Sequence, residues 1–290
     1  MATVSSLLLF FFFFYTHALA VLAAAGNEVA LFSHVKSILK RGESLSNNGS
    51  SLTLETDCDL VLRDANKMIL WNSGSVDKGV ECIFWVGKYG VAIVSDVDGS
   101  PLWTTGSPGP PGNYAILLRP DGKLRLYGPS IWTFERSASS ASVVAEQRLV
   151  EAKPPSFDSS GYVMYSSEEF IYEPAVGVML KHGNYSLVLE TSCTIHIRRN
   201  NYQSSAEFPV AEQRPRAFRA VAPPCKTQLT TDGQLEAYKL LYLGAGGLDD
   251  VWLRSWGSNF TVLAKESIAA LVDRGKSGEL LIYPMKETIT

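Results

Sequence analysis

The sequence predicts an all-β protein made of two tandem domains, each a prism of three sheet units around a tryptophan-lined pseudo-threefold axis. Three observations carry this. Short alternating runs recur at regular spacing (LTLETDCDLVL, YGVAIVSDV, YAILLRPDGKLRLY), with Asp-Gly, Pro-Gly and Asp-Ala-Asn turn signals within and between them. Each run leads into a similar phrase, ILWNSG (69–74), PLWTTG (101–106) and SIWTFE (130–135), so that Trp71, Trp103 and Trp132 are expected to point inward together. The chain also repeats itself: SLTLETDCDLVLRD (51–64) matches SLVLETSCTIHIRR (186–199), and NYAIL (113–117) matches NFTVL (259–263).

Taken from the start, residues 1–25 hold the apolar run LLLFFFFFY and end in Ala23-Ala24-Ala25, the pattern of a secretory signal peptide with a small-residue cleavage site. The first domain is expected over 26–136. Residues 137–161 are rich in Ser and Ala, carry Pro154-Pro155 and read as linker, which gives a linker segment of 137–163 and a second domain of 164–290. In that domain the axial aromatic places are expected at Trp252, the counterpart of Trp103, and at Tyr202 and Tyr283. Four cysteines in a secreted chain argue for two disulfides. Of the three pairings, one local bridge per half, Cys58–Cys82 and Cys193–Cys225, is the simplest.

The stretch Glu55–Asp64, ETDCDLVLRD, alternates without a break. Leu54, Cys58, Leu60 and Leu62 fall on one parity; Glu55, Asp57, Asp59, Val61 and Arg63 fall on the other, which predicts a continuous half-buried strand with three carboxylates in a row towards solvent. This stretch resembles the sugar motif of the monocot bulb-type mannose-binding lectins, QxDCNLVLYD. It keeps the Asp, the Cys, the Leu-Val-Leu and the closing Asp, and departs at Glu55, Asp59 and Arg63, where that family has Gln, Asn and Tyr.

The resemblance implies a β-prism II fold of three four-stranded sheets per domain. It also implies exchange of C-terminal strands with pairing of domains and of chains, and binding of mannose-containing glycans or glycoproteins in a defence role. Carried over place by place, it implies carbohydrate-binding residues Glu55, Asp57, Asp59 and Val61 in the first unit. The third unit keeps Asp121 and Tyr127, and the second domain's middle unit supplies Asp232, Gln234 and Tyr238. Of the remaining three units, Gly87 to Ser95 and Lys265 to Asp273 have lost the ligand groups, and Glu190 to Arg198 is incomplete. Each hydrogen bond to a sugar nets only about 0.5–1.5 kcal/mol. One degenerate site is therefore weak, and binding would depend on several sites together. The alternative is a storage or protein-interaction relative that keeps the fold without sugar binding.

Other function classes find little support. The formal net charge of -3 gives no basic patch for nucleic acid. Beyond the signal no stretch is long enough to span a bilayer, which points to a secreted protein with an extracellular or vacuolar destination. His34, His182 and His196 have no nucleophile motif near them, and His196 is expected on a solvated strand face. Neither a catalytic residue, a metal nor a cofactor is expected. Three glycosylation sequons occur, at Asn48, Asn184 and Asn259.

Overall fold

Strands form where the sequence alternates, because successive side chains point to opposite faces and one of those faces is apolar. The computed structural model describes residues 28–35, 37–105, 108–136, 161–166, 169–172, 177–189, 193–199, 205–207, 225–243, 247–257 and 266–290. Among them every regular element is a strand. The first half supplies β1 (Ala30–Phe32), β2 (Leu39–Lys40), β3 (Ser44–Asn47), β4 (Ser50–Leu54), β5 (Leu60–Arg63), β6 (Ile69–Asn72), β7 (Cys82–Val86), β8 (Ala92–Asp96), β9 (Pro101–Thr104), β10 (Ala115–Leu118), β11 (Leu124–Tyr127) and β12 (Trp132–Arg136). The second supplies β13 (Val163–Tyr165), β14 (Glu169–Tyr172), β15 (Gly177–His182), β16 (Tyr185–Leu189), β17 (Ile195–Arg199), β18 (Ser205–Glu207), β19 (Cys225–Leu229), β20 (Gln234–Leu243), β21 (Gly247–Gly257), β22 (Ser267–Asp273) and β23 (Gly278–Thr288).

These strands build two prisms. The first has the sheets β3-β4-β5-β6 and β2-β7-β8-β9, and the second has β15-β16-β17-β18 and β14-β19-β20-β21. The third sheets of the two prisms are fused into one seven-stranded sheet by β23. Its N-terminal part pairs with β22 and β12, Trp132 opposite Ile282 and Arg136 opposite Gly278. Its C-terminal part pairs with β11, Tyr127 opposite Met285 and Arg125 opposite Thr288. Thus β12 completes the second prism and the end of β23 completes the first.

The exchange redistributes the aromatic residues. Trp71 and Trp103 meet edge to face in the first prism, with ring centroids 5.4 Å apart. Trp132 does not join them: carried by β12, it packs against the second prism's core and lies 6.3 Å from Phe134. Ile289, following β23, packs on the first core beside Trp71 and Trp103. Trp252 is also not axial; it is 56 % exposed. Tyr283 is fully buried, but between the prisms, among Phe32, Tyr127, Tyr162 and Leu281. Tyr202 lies outside the described residues.

Among the described residues, three apolar clusters hold the structure. One fills the first prism (Leu45, Leu52, Leu60, Phe84, Ile116 and their neighbours), one fills the second (Leu187, Ile195, Leu235, Leu280), and one lies between them. The inter-prism cluster explains the continuous apolar runs AILL, SIAALV and ELLIY: their strands are buried on both faces, so alternation disappears. Each fully buried Leu or Phe contributes about 1.5–3 kcal/mol relative to exposure. Both disulfides are local, Cys58–Cys82 with Cα atoms 5.7 Å apart and Cys193–Cys225 with 5.4 Å.

Two polar clasps cross between the prisms beside a cleft of about 990 Å³. In one, the buried Glu279 carboxylate accepts from Arg274 at 2.6 Å and faces His34 at 3.4 Å. In the other, Glu28 accepts from the Tyr162 hydroxyl at 3.0 Å and faces His182 at 3.9 Å, while Tyr162 and His182 stack at 4.4 Å. The facing His182 and the hydrogen bond from Tyr162 hold the Glu28 carboxyl below its ordinary range. Burial works against ionisation of Glu279, yet His34 and Arg274 together keep its carboxyl low.

Candidate functional site

Among the described residues a single turn recurs at four sugar-motif places. In each, the residue at the end of one strand exchanges with the first residue of the next, and the third N–H folds back. Glu55 N donates to Asp59 O at 2.8 Å and Cys58 N to Glu55 O at 3.1 Å. The same pair of bonds joins Gly87, Gly90 and Val91, then Arg119, Gly122 and Lys123, then Thr230, Gly233 and Gln234. The third turn residue is left-handed each time, with φ of 72° at Cys58, 66° at Gly90, 75° at Gly122 and 83° at Gly233. This is the three-residue hairpin loop that needs one residue at positive φ. Cys58 takes it without being glycine because the disulfide fixes it there, and Cys193, at φ 60°, repeats the arrangement.

The stretch Glu55–Asp64 is therefore not one strand. Strand β4 ends at Leu54, a turn covers Glu55–Asp59, and β5 begins at Leu60. The three carboxylates do not line one solvent face. Glu55 pairs with Arg63, both about one-third exposed or less. Asp57 caps the turn, its Oδ1 accepting from Asp59 N at 3.1 Å. Asp59 is 4 % exposed and turned inward, Oδ1 accepting from Ser73 Oγ at 2.9 Å and Ser75 N at 3.2 Å. Val61 is also buried. Ser73 and Ser75, which the motif does not include, hold this turn closed.

The third unit's place is engaged by the second prism. Asp121 caps its turn in the same way, accepting from Lys123 N at 3.1 Å, and binds Arg125 at 3.0 Å. Glu266, just before β22, receives Arg119 at 3.0 Å and is also bound by Arg125 and by the Tyr127 hydroxyl. Burial pushes the Tyr127 phenol well up, so it stays a donor. Sequence reading missed Glu266; the signal available was one carboxylate heading an otherwise apolar strand, KESIAALVD.

The middle unit of the second prism keeps the most accessible face. Asp232, Gln234, Glu236 and Tyr238 are half-buried on one side of β20, while Leu235 and Ala237 are buried on the other. Asp232 accepts from Thr230. Tyr238 donates to Glu236 at 2.6 Å, and Gln228 of β19 donates to Glu236 at 2.9 Å and reaches Tyr238 at 3.2 Å. The Lys226 ammonium sits 5.2 Å from the Tyr238 ring centroid. Gln228 and Lys226 come from the neighbouring strand, so linear motif reading could not find them; Gln228 stands directly opposite Glu236.

Ser95 accepts from Trp85 at 3.4 Å in the second unit. His196 is buried rather than solvated, 2 % exposed and bonded to Thr194 at 2.9 Å, on the face it shares with the buried Val188 directly opposite. Ser267, Ala269 and Leu271 are fully buried. Residues 1–27, 137–160, Glu190, Ser192, Lys265 and the Asn259 sequon lie outside the described residues. Asn48 and Asn184 stand exposed on hairpin turns.

No family model matches the chain. Comparison with known proteins finds a mannose-specific lectin of Colocasia esculenta 34 % identical over 97 residues, 33 % of this chain and 35 % of that one. The chain spans between about a third and just over half the length of the curated relatives it matches (35 %, 56 % and 33 %). Among solved structures, the Remusatia vivipara lectin is 30 % identical, with 40 % of this chain covering 98 % of that one at a TM-score of 0.34. A two-domain, fetuin-binding agglutinin of Scilla campanulata superposes over 91 % of this chain and 99 % of its own, with a TM-score of 0.61 at 19 % identity. That last likeness concerns the fold: two β-prisms in one chain.

Proposed function

The chain belongs to the monocot bulb-type lectin family, a non-enzymatic one, and from that premise we propose that it binds mannose-type glycans through the Asp232–Tyr238 face of the second prism. The observation that carries this reading is the half-exposed row Asp232, Gln234, Glu236 and Tyr238. Asp232 offers an acceptor, the Gln234 amide offers both a donor and an acceptor where the family has Asn, and Tyr238 offers a hydroxyl. Glu236 replaces the family's apolar Val, and Gln228 with Tyr238 satisfies it. The Glu55 turn is a weaker second place, since Glu55 is paired with Arg63 and Asp59 is turned inward. With bonds of about 0.5–1.5 kcal/mol each, one place gives roughly millimolar binding, and glycoproteins or mannan would be held by several contacts at once.

The same reading sends the protein through the secretory pathway, with 1–25 as signal, and gives it a defence role. The exposed sequons at Asn48 and Asn184 and the two disulfides support that route. A mannan column tests the binding. Mature protein should be retained and eluted by methyl α-mannoside, with Asp232→Ala and Gln234→Ala each lowering retention severalfold. A folded protein that passes through unretained would end this reading. One observation favours the storage or interaction alternative: the Asp121–Tyr127 place is filled by Glu266, so a motif place here serves assembly.

A further inference from the structure

The exposed Trp252 has a structural cause. β20 and β21 pair as Leu235 with Trp256, Glu236 with Ser255 and Ala237 with Arg254, and then slip, so that Tyr238 faces Trp252 and Leu253 is left over. Such a bulge re-aims the side chains beyond it. Trp256 lies inward, 9 % exposed, and simple alternation would turn Trp252 inward too. The extra residue turns it to the Tyr238 side instead, because directly paired residues share a face.

The same slip occurs in the first prism, where Leu62 pairs with Trp71 and Arg63 with Ile69, and where Val94 pairs with Trp103 and Ser95 with Pro101. Aligned by the slip, the counterpart of Trp71 and Trp103 is Arg254. Trp252 corresponds instead to Ile69 and Pro101, the residues across from the motif's fifth place. Where the other two sheets have an aliphatic residue and a proline, this one has an indole, 56 % exposed, beside the polar set of Gln228, Glu236 and Tyr238.

An indole next to converging donors and acceptors suits a ring with one apolar face and a polar rim, which describes a pyranose. We propose that Trp252 is a stacking platform that extends the Asp232–Tyr238 place to the adjoining sugar of a mannose-type oligosaccharide. Trp252 stands one strand away from the motif residues, a spacing of about 4.8 Å, so a sugar seated on β20 leaves the indole to its neighbour. This inference rests on the lectin reading and adds the preference for linked sugars over the monosaccharide.

The test compares wild type, Trp252→Ala and Trp252→Phe by inhibition of mannan retention, with methyl α-mannoside and with mannotriose as soluble probes. The exposed side chain can be removed without opening the core, and matched thermal unfolding checks this. Trp252→Ala should weaken mannotriose about fivefold, the loss of one aromatic contact of about 1 kcal/mol, while methyl α-mannoside is unchanged and Trp252→Phe stays near wild type. Wild type should also show a change in tryptophan emission on adding mannotriose that Trp252→Ala lacks. Equal loss for both sugars, or no loss for either, overturns the platform while leaving the lectin reading in place. Wild type unretained by mannan overturns both. A Trp252→Ala variant that binds both sugars normally but loses a self-association seen in light scattering assigns the face to a second copy of the chain and overturns the proposal.

Discussion

Glu266 shows how a single side chain decides the fate of a binding place. Its carboxylate answers Arg119, Arg125 and Tyr127, all largely buried, so removing it leaves Arg119 without its anion and Arg125 with Asp121 alone in a partly dry site. Glu266→Ala should cost about 2–4 kcal/mol, read as a lower denaturant midpoint, and added acetate should recover part of it. At Asp59 the buried Oδ1 is the point of attachment for Ser73 and Ser75. Asp59→Ala should therefore destabilise by about 1–3 kcal/mol, whereas Asp59→Asn, which keeps a carbonyl oxygen, should cost less than 1 kcal/mol in the same assay. The Glu28 and Glu279 carboxyls are held below their ordinary range, so their stabilisation is complete above about pH 4.5 and is lost as the pH falls through their lowered values. Unfolding midpoints should be level from pH 7 to 5 and fall below 4, with a shallower fall in Glu279→Gln.

At the scale of elements, alternation made the strands legible and Asp-Gly made the turns legible, because both act locally. The Asp121-Gly122 and Asp232-Gly233 pairs sit where a left-handed residue is required. Cys58 occupies the same conformation without advertising it, and so the Glu55–Asp64 stretch read as one strand. The Trp252 bulge was hidden for a similar reason: nothing in VWLRSW marks Leu253 as the extra residue, and only pairing with β20 reveals it. The ligand places were legible as motif positions, but their state was not. Whether Asp59 faces a sugar or Ser73 depends on contacts 14 residues away in sequence, and Glu266 reaches Tyr127 from 139 residues away. Each local disulfide should contribute about 3 kcal/mol by loop closure, so replacing Cys193 and Cys225 with Ala should lower the midpoint accordingly.

For the whole molecule, the exchanged strands matter more than the covalent connection between the halves. A cut anywhere in 137–160 leaves β12 paired with β23 in the second prism and the end of β23 paired with β11 in the first. Limited proteolysis in that segment should give two bands under denaturing conditions and one species by size exclusion in native buffer. Deleting residues after Tyr283 should instead strip the first prism of its fourth strand and expose the β11 edge, with a loss of protection in hydrogen exchange across β10 and β11.

The shared strand also imposes an order of events on synthesis. When Arg136 leaves the ribosome, the first prism has no closing strand, since Met285 to Thr288 have not yet been made. At about 5–20 residues per second the nascent first half waits roughly ten seconds or more with the edge of β11 open, while β12 waits for a sheet that does not yet exist. A chain of this design closes its first prism only once Met285 to Thr288 have been made.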